Sequence, residues 1–302
     1  MSELDRMKVS RRAFVRGAIS IGSLGILARK VSANALGLPL GLQLYSVRAQ
    51  MAQDLDGALA GVAAAGFVEV EAAALPAGKS AAEVRAALNK AGLRCVGAHH
   101  GFADLSTHFD QVLAFDAELG ANYVICASPG LRPASTASDP RQPMTLEDWR
   151  YDAETFNSFW ERAAMLNMEF GYHNHIHEFD LLGGVSPYEE LLRLTEPKKV
   201  TFELDCGWAR VAGHDPVELM EQHPYRFSML HVKDFHLSAA TSNSGQKADV
   251  TELGRGDIDY KPVFAQARKN QRIRHAFVEQ EAFDLPWQES LRIDADYVRK
   301  LT

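Results

Sequence analysis

The residues able to do chemistry gather in the second half of the chain and recur in pairs. His173-Asn174-His175 is followed by His177 and Glu178, Asp205 ends a hydrophobic run, His231, Lys233 and Asp234 end another, and Glu279 and Glu281 close a third. Earlier in the chain, Glu69 and Glu71, then His99 and His100, stand in similar places. Side chains alternate along an extended chain, so His173 shares a face with His175, His231 with Lys233, and Glu279 with Glu281. Crowding carboxylates and imidazoles together is costly through desolvation and like-charge repulsion unless a cation sits among them. Nitrogen and carboxylate ligands without thiolates suit Mn2+, Co2+, Fe2+, Ni2+ or Zn2+ better than an all-oxygen Ca2+ site. An ion holding a carbonyl and a neighbouring hydroxyl polarises the carbonyl and acidifies the C–H between them. A nearby carboxylate, imidazole or lysine then moves the proton. Glu279, Glu281, Lys233 and His175 are the candidates for that role. The competing structural readings are a histidine satisfied within the core and a lysine–carboxylate bridge that only holds the fold together.

Eight short apolar runs carry these residues: Pro39 to Tyr45, Phe67 to Ala73, Leu93 to His99, Asn122 to Ala127, Met168 to His175, Val200 to Asp205, Phe227 to Lys233 and His275 to Glu281. Helical stretches separate them. Asp54 to Ala65 is rich in Ala and Leu and stops at Gly66; Ser80 to Lys90 begins with a capping serine and stops before Gly92. Leu146 to Leu166 spaces Trp149, Phe156, Trp160 and Ala163 along one face. Alternating strands and helices demand parallel strands with helical crossovers, and eight repeats in about 250 residues close most economically as a single-domain α/β fold, a (β/α)8 barrel. An open doubly wound sheet is disfavoured because Leu44-Tyr45-Ser46-Val47-Arg48, not a Gly-x-Gly-x-x-Gly turn, follows the first strand. In a barrel, polar groups at the C-terminal strand ends line the site, which places Glu71 and His99, with Glu178 beyond the fifth run, as substrate contacts. Polar, Ser-rich stretches at Pro129 to Thr145 and Leu237 to Leu253 read as loops on that same face. Gly254 and Gly256 lack a following Lys-Ser/Thr and read as a turn, not a phosphate loop.

Composition narrows the partners. With 32 Lys and Arg against 39 Asp and Glu, a formal charge of −7 gives no general attraction for nucleic acid. Three cysteines without CxxC spacing exclude a disulfide scaffold and a cysteine-rich zinc module. The N-terminus carries Ser10-Arg11-Arg12-Ala13-Phe14-Val15, a charge-free run from Gly17 to Ala28 too short for a stable membrane span, and the small-residue pattern Ala33-Asn34-Ala35. This order resembles a twin-arginine export signal. The expectation is a signal peptide over residues 1–35, cleavage after Ala35, a barrel over 36–302 and a periplasmic protein that folds, with its metal loaded, before export.

From about residue 38 to 299 the chain resembles the xylose isomerase-like sugar isomerase/epimerase family, which includes the inosose dehydratases. The resemblance rests on Gly41 to Arg48, Tyr172-His173-Asn174-His175 with Glu178-Phe179, Asp205-Cys206-Gly207-Trp208, His231-Val232-Lys233-Asp234, Gly254 to Asp259, and Phe277-Val278-Glu279-Gln280. It implies a TIM barrel, a carbohydrate substrate and a divalent metal held by Glu, Asp, His and Glu from strands five to eight. Asp205, His231 and Glu279 match three of these places. His173 stands at the first, so the ligand there is His173, or His175 or Glu178 supplies it. In family epimerases the first and last glutamates commonly form the opposed acid/base pair. The leading expectation is a sugar isomerase or epimerase working by proton abstraction beside a carbonyl; with the first glutamate replaced, the alternative is β-elimination by a lyase or hydratase acting on a keto-sugar or 3-keto-glycoside. Trp208, where ketose epimerases often have a histidine, suits stacking on a sugar face. A sugar-binding barrel without chemistry is the remaining reading.

Overall fold

The computed structural model describes residues 33–133, 144–237 and 249–301. The residues of the expected export signal up to 32, and most of the two Ser-rich loops (134–143 and 238–248), lie outside that range. The strands in chain order are β1 (Gly41–Gln43), β2 (Glu69–Ala72), β3 (Arg94–Gly101), β4 (Tyr123–Ser128), β5 (Glu169–His173), β6 (Val200–Asp205), β7 (Phe227–Val232), a short antiparallel pair β8 (Asp234–His236) and β9 (Asp249–Thr251), and β10 (His275–Val278). All except β8 and β9 form one closed parallel barrel, β1-β10-β7-β6-β5-β4-β3-β2, sealed where Gly41 pairs with Phe277 and Leu42 with Val278. Around it run α1 (Arg48–Gln53), α2 (Leu55–Ala65), α3 (Ala81–Ala91), α4 (Phe102–Leu119), α5 (Leu146–Ala164), α6 (Pro187–Leu194), α7 (Cys206–Val211), α8 (Pro216–Gln222), α9 (Tyr260–Asn270) and α10 (Trp287–Lys300).

The helices begin and end where local chemistry requires. Asp54 accepts the Gly57 N–H at the start of α2, and Gly66 ends it in the left-handed region at φ 107°. Ser80 and Glu83 form a reciprocal capping box at α3, as Thr145 and Asp148 do at α5. Strand alternation fills the barrel in layers. Glu69 pairs with His275 and Arg94 at the floor; Val96, Tyr123, Ile125, Met229 and Phe277 form a small apolar plug above it. Over that plug the interior is polar.

The expected strands run long at their C-terminal ends. β10 stops at Val278, β5 at His173, and Leu44 to Val47 turn into a 3-10 helix. Glu279, Glu281 and His175 therefore sit on the strand-to-helix connections. The stretch 237–253 is not loop throughout, because residues 249–251 return as β9. The cause is Asp234, buried, whose carboxylate accepts the N–H groups of Phe235, Gly254, Gly256 and Ile258. The Gly254–Gly256 turn thus wraps a carboxylate belonging to the protein itself.

At the other barrel end, Ala33 bridges to Pro39, the buried Asn34 side chain accepts from Leu36 and Leu38, and Arg268 donates to the Ala35 carbonyl. The Ala33-Asn34-Ala35 segment is a folded strap on the barrel. None of the helices among the described residues is long and apolar enough to cross a membrane. Cys95, Cys126 and Cys206 are buried free thiols.

Candidate metal centre

Four side chains at the C-terminal strand ends converge. Asp205 closes β6, His231 lies opposite it in register on β7, His173 ends β5, and Glu279 follows β10. His231 Nδ1 stands 3.1 Å from Glu279 Oε2 and 4.0 Å from Asp205 Oδ2, and His173 Nε2 stands 3.6 Å from Asp205 Oδ2. All four residues are buried. The ligand atoms of Asp205, His231 and Glu279 lie close enough to share one ion, and His173 belongs to a second such group with His99, Glu203 and His231 that meets the first at His231.

The far nitrogens explain why these faces are presented. Glu203 Oε2 lies 2.9 Å from His173 Nδ1, 2.8 Å from His99 Nε2 and 3.2 Å from His231 Nε2. Glu71 Oε2 lies 2.8 Å from His231 Nε2 and from His99 Nε2, and accepts from Gln43 Nε2. His173 therefore donates Nδ1–H to Glu203 and keeps Nε2 free; His231 turns Nε2 to Glu71 and Glu203 and Nδ1 to the ligands. Buried carboxylates behind ligating imidazoles orient the ring and raise its basicity. Glu71 needs room to reach inward, and Gly97 provides it, since a Cβ there would stand 2.9 Å from Glu71 Oε1.

Lys233 is the internal cation. Its Nζ, fully buried, lies 2.8 Å from Asp205 Oδ2, 2.5 Å from Glu279 Oε2 and 2.8 Å from Glu281 Oε1. The stem crosses Gly207, where a Cβ would stand 2.3 Å from Lys233 Cγ. Asp205, Glu279 and Glu281 surround the lysine, Glu71 and Glu203 add two more carboxylates against His231, and Glu71 Oε1 and Glu203 Oε1 are buried without a donor. That surplus of negative charge, with two imidazole nitrogens facing the carboxylates, fits a divalent cation.

Burial and charge set the protonation pattern. Burial, reinforced by His231, drives His173 well below the ordinary histidine range, leaving it a neutral ligand. Burial also lifts the Asp205 carboxyl, which Lys233 and His231 oppose, to about 6. Burial works against charge on His99, yet Glu71 and Glu203 raise it to about 9. His175, desolvated and facing Lys233, falls to about 3. Near neutrality His99 holds a proton and His175 does not.

A cavity of about 340 Å³ opens over the cluster, lined by Tyr45, His99, His100, His173, His175, Glu279 and Glu281 among others. Trp208 stands beside it, its ring 5.3 Å from Lys233 Nζ and 6.2 Å from the His175 ring. Two residues expected at the substrate are placed differently from the others. Glu71 is fully buried beneath the imidazoles, and Glu178, buried, accepts from Tyr172 Oη and borders the mouth only on the Trp208 side. Glu178 is also not drawn into the ligand cluster, because Tyr172 and His173 point to opposite sides of β5. The residue missed in the sequence is Glu203. It precedes Asp205 by two positions and shares its face, a signal hidden inside the hydrophobic run Phe202-Glu203-Leu204.

Barrel, strand-end polar cluster and cavity define a class, and residues 59–301 match the xylose isomerase-like TIM barrel family. The chain belongs to that family. Among curated relatives, an inosose dehydratase of Geobacillus kaustophilus is 26% identical over 238 residues, 70% of this chain and 75% of the relative. One from Geobacillus thermodenitrificans is 27% identical over 54% of this chain, and the chain spans only 58% of its length. Among solved structures, a sugar phosphate isomerase/epimerase from Parabacteroides distasonis is 26% identical, with a TM-score of 0.67 over 86% of this chain and 93% of that one.

Proposed function

We propose that the protein is a divalent-metal-dependent lyase that removes a proton beside the ketone of a keto-sugar or keto-cyclitol and expels the β-oxygen substituent. The observation that carries this reading is the asymmetry of the cavity. Both lining carboxylates, Glu279 and Glu281, stand on the β10 side, while His99, His100, His173 and His175 occupy the β3 and β5 side. Exchanging a proton on both faces of one carbon calls for a base on each face; elimination needs one base and one acid. His173, Asp205, His231 and Glu279 would hold the metal, which supplies polarisation of the ketone oxygen when bound. Glu281, bonded to Lys233 and partly open to the cavity, takes the proton from carbon. Lys233 keeps that carboxylate in place. His99, protonated beside Glu71 and Glu203 and lining the cavity, serves as the acid for the departing oxygen. The inosose dehydratase relatives, whose name describes loss of water from a ketone, support the same chemistry. Neighbours in the fold described with zinc or magnesium support a metal without selecting one.

The test is incubation of the Mn2+-, Co2+- or Zn2+-loaded protein with 2-keto-myo-inositol and with 3-keto-glucose in D2O. A product lighter by one water is expected, and it should disappear in Glu281→Gln. Accumulation of an epimer of unchanged composition, carrying solvent deuterium, would overturn the lyase reading in favour of the isomerase one.

A further inference from the structure

The barrel mouth is divided. Beside the lobe over the metal cluster lies a second of about 350 Å³, lined by Pro129, Ile176 and Trp208, with His177 and Glu178 at its edge. The two lobes share Ala127, Ser128 and His175, so they adjoin, with His175 on their common border. Their chemistry differs sharply. The first is walled by imidazoles and carboxylates, whereas the second offers a proline ring, an isoleucine and an indole held in place by Phe235, 5.1 Å away centroid to centroid. One carboxylate oxygen of Glu178, at the edge of the second lobe, accepts from Tyr172 Oη, and the other is buried without a donor.

A sugar ring seated over the metal cluster directs one substituent past His175. In a free sugar or cyclitol that substituent is a hydroxyl, which would lose its hydrogen bonds to water in an apolar lobe. An apolar group there gains from burial, and a flat one gains further against the indole face. Building on the lyase reading, we infer that the substrate is a keto-glycoside and that the second lobe receives its apolar, flat aglycone as the leaving group. For a 3-keto-glycoside, the proton on C2 passes to the carboxylate wall and the C1–O bond breaks with its electron pair on oxygen. The aglycone oxygen takes up a proton, and a C1–C2 double bond forms in conjugation with the ketone. One C–H and one C–O bond become one C=C and one O–H, and no oxidant, reductant or water is consumed.

Benzyl and methyl 3-keto-glucosides, supplied as both anomers, isolate the contribution of the lobe, because the two departing alcohols are of similar acidity. For the metal-loaded protein the benzyl compound should show kcat/KM about tenfold higher, carried mainly by KM. In Ile176→Asn the benzyl-to-methyl ratio should fall toward one. Calorimetric titration of unreactive benzyl glucoside reads the lobe without turnover, and binding should weaken at least about fivefold in the same variant. Equal kcat/KM for the two compounds, or unchanged benzyl glucoside binding in Ile176→Asn, overturns the assignment of the lobe and leaves the lyase reading standing. If neither compound releases its alcohol, the lyase reading itself falls.

Discussion

Lys233 and Glu203 carry opposite halves of the charge balance at the site. Lys233 touches three carboxylates with no exposure of its own, so losing the ammonium leaves Asp205, Glu279 and Glu281 buried against one another. Removing one partner of such a cluster costs about 3–5 kcal/mol. Lys233→Met should therefore lower the thermal unfolding midpoint of metal-free protein markedly, and saturating divalent metal should restore part of the loss; an unchanged midpoint without metal would deny the lysine this role. Glu203 acts from behind the ligands. Glu203→Gln keeps the shape but gives up the charge shared by His99, His173 and His231, and loss of such a partner weakens metal binding by about 10–100-fold. Co2+ titration followed by the visible d–d bands checks this, with an intact far-ultraviolet circular dichroism spectrum as the control for folding.

Among the elements, two helices tie down strand-to-helix connections through buried aspartates. Asp152 on α5 accepts the Gly130 N–H, and Asp294 on α10 accepts the Leu253 N–H. Burial lifts each carboxyl to about 8, a single N–H being too little to hold the charge. Folded values above the ordinary aspartate value of about 4 mean that the neutral form is preferred in the folded state. This contribution to stability is whole below pH about 4 and is lost as pH rises through about 8. Denaturant unfolding should show this contribution falling between pH about 4 and 8, and the fall should be shallower in the Asp152→Asn, Asp294→Asn double variant, where a neutral amide keeps the acceptor oxygen. A parallel decline in both proteins would place the sensitivity elsewhere. Capping is a smaller matter: Ser80→Ala, which removes one half of the box at α3, should cost about 1 kcal/mol in the same assay.

For the whole molecule, the N-terminal reading leads to an experiment on cells. We propose export by the twin-arginine route, so that replacing Arg11 and Arg12 with lysine should retain the protein in the cytoplasmic fraction; unaltered periplasmic recovery would exclude that route. The strap adds a structural consequence, because Ala33 to Ala35 are engaged by Pro39, Leu38 and Arg268 in the folded barrel. Peptidase action after Ala35 requires that strap to open, and mass measurement of the recovered N-terminus reports whether it does.

Much of this architecture was legible in the chain itself. Period-two runs between capped, Ala-rich helices specify strand and helix because burial of one face and satisfaction of helix ends are local requirements, and Val200 to Asp205 coincides with β6 to the residue. Asp205, His231, Glu279 and Lys233 stood out because polar groups ending apolar runs are conspicuous. Barrel closure decided the rest. Which nitrogen of His173 and His231 faces the ligands depends on Glu203 and Glu71, which approach from other strands, and Glu178 is held away from the ligand cluster by its bond to Tyr172. Proton positions, charge sharing and the divided mouth arise from distances between segments far apart in the chain, and those distances exist only once the eighth strand has paired with the first.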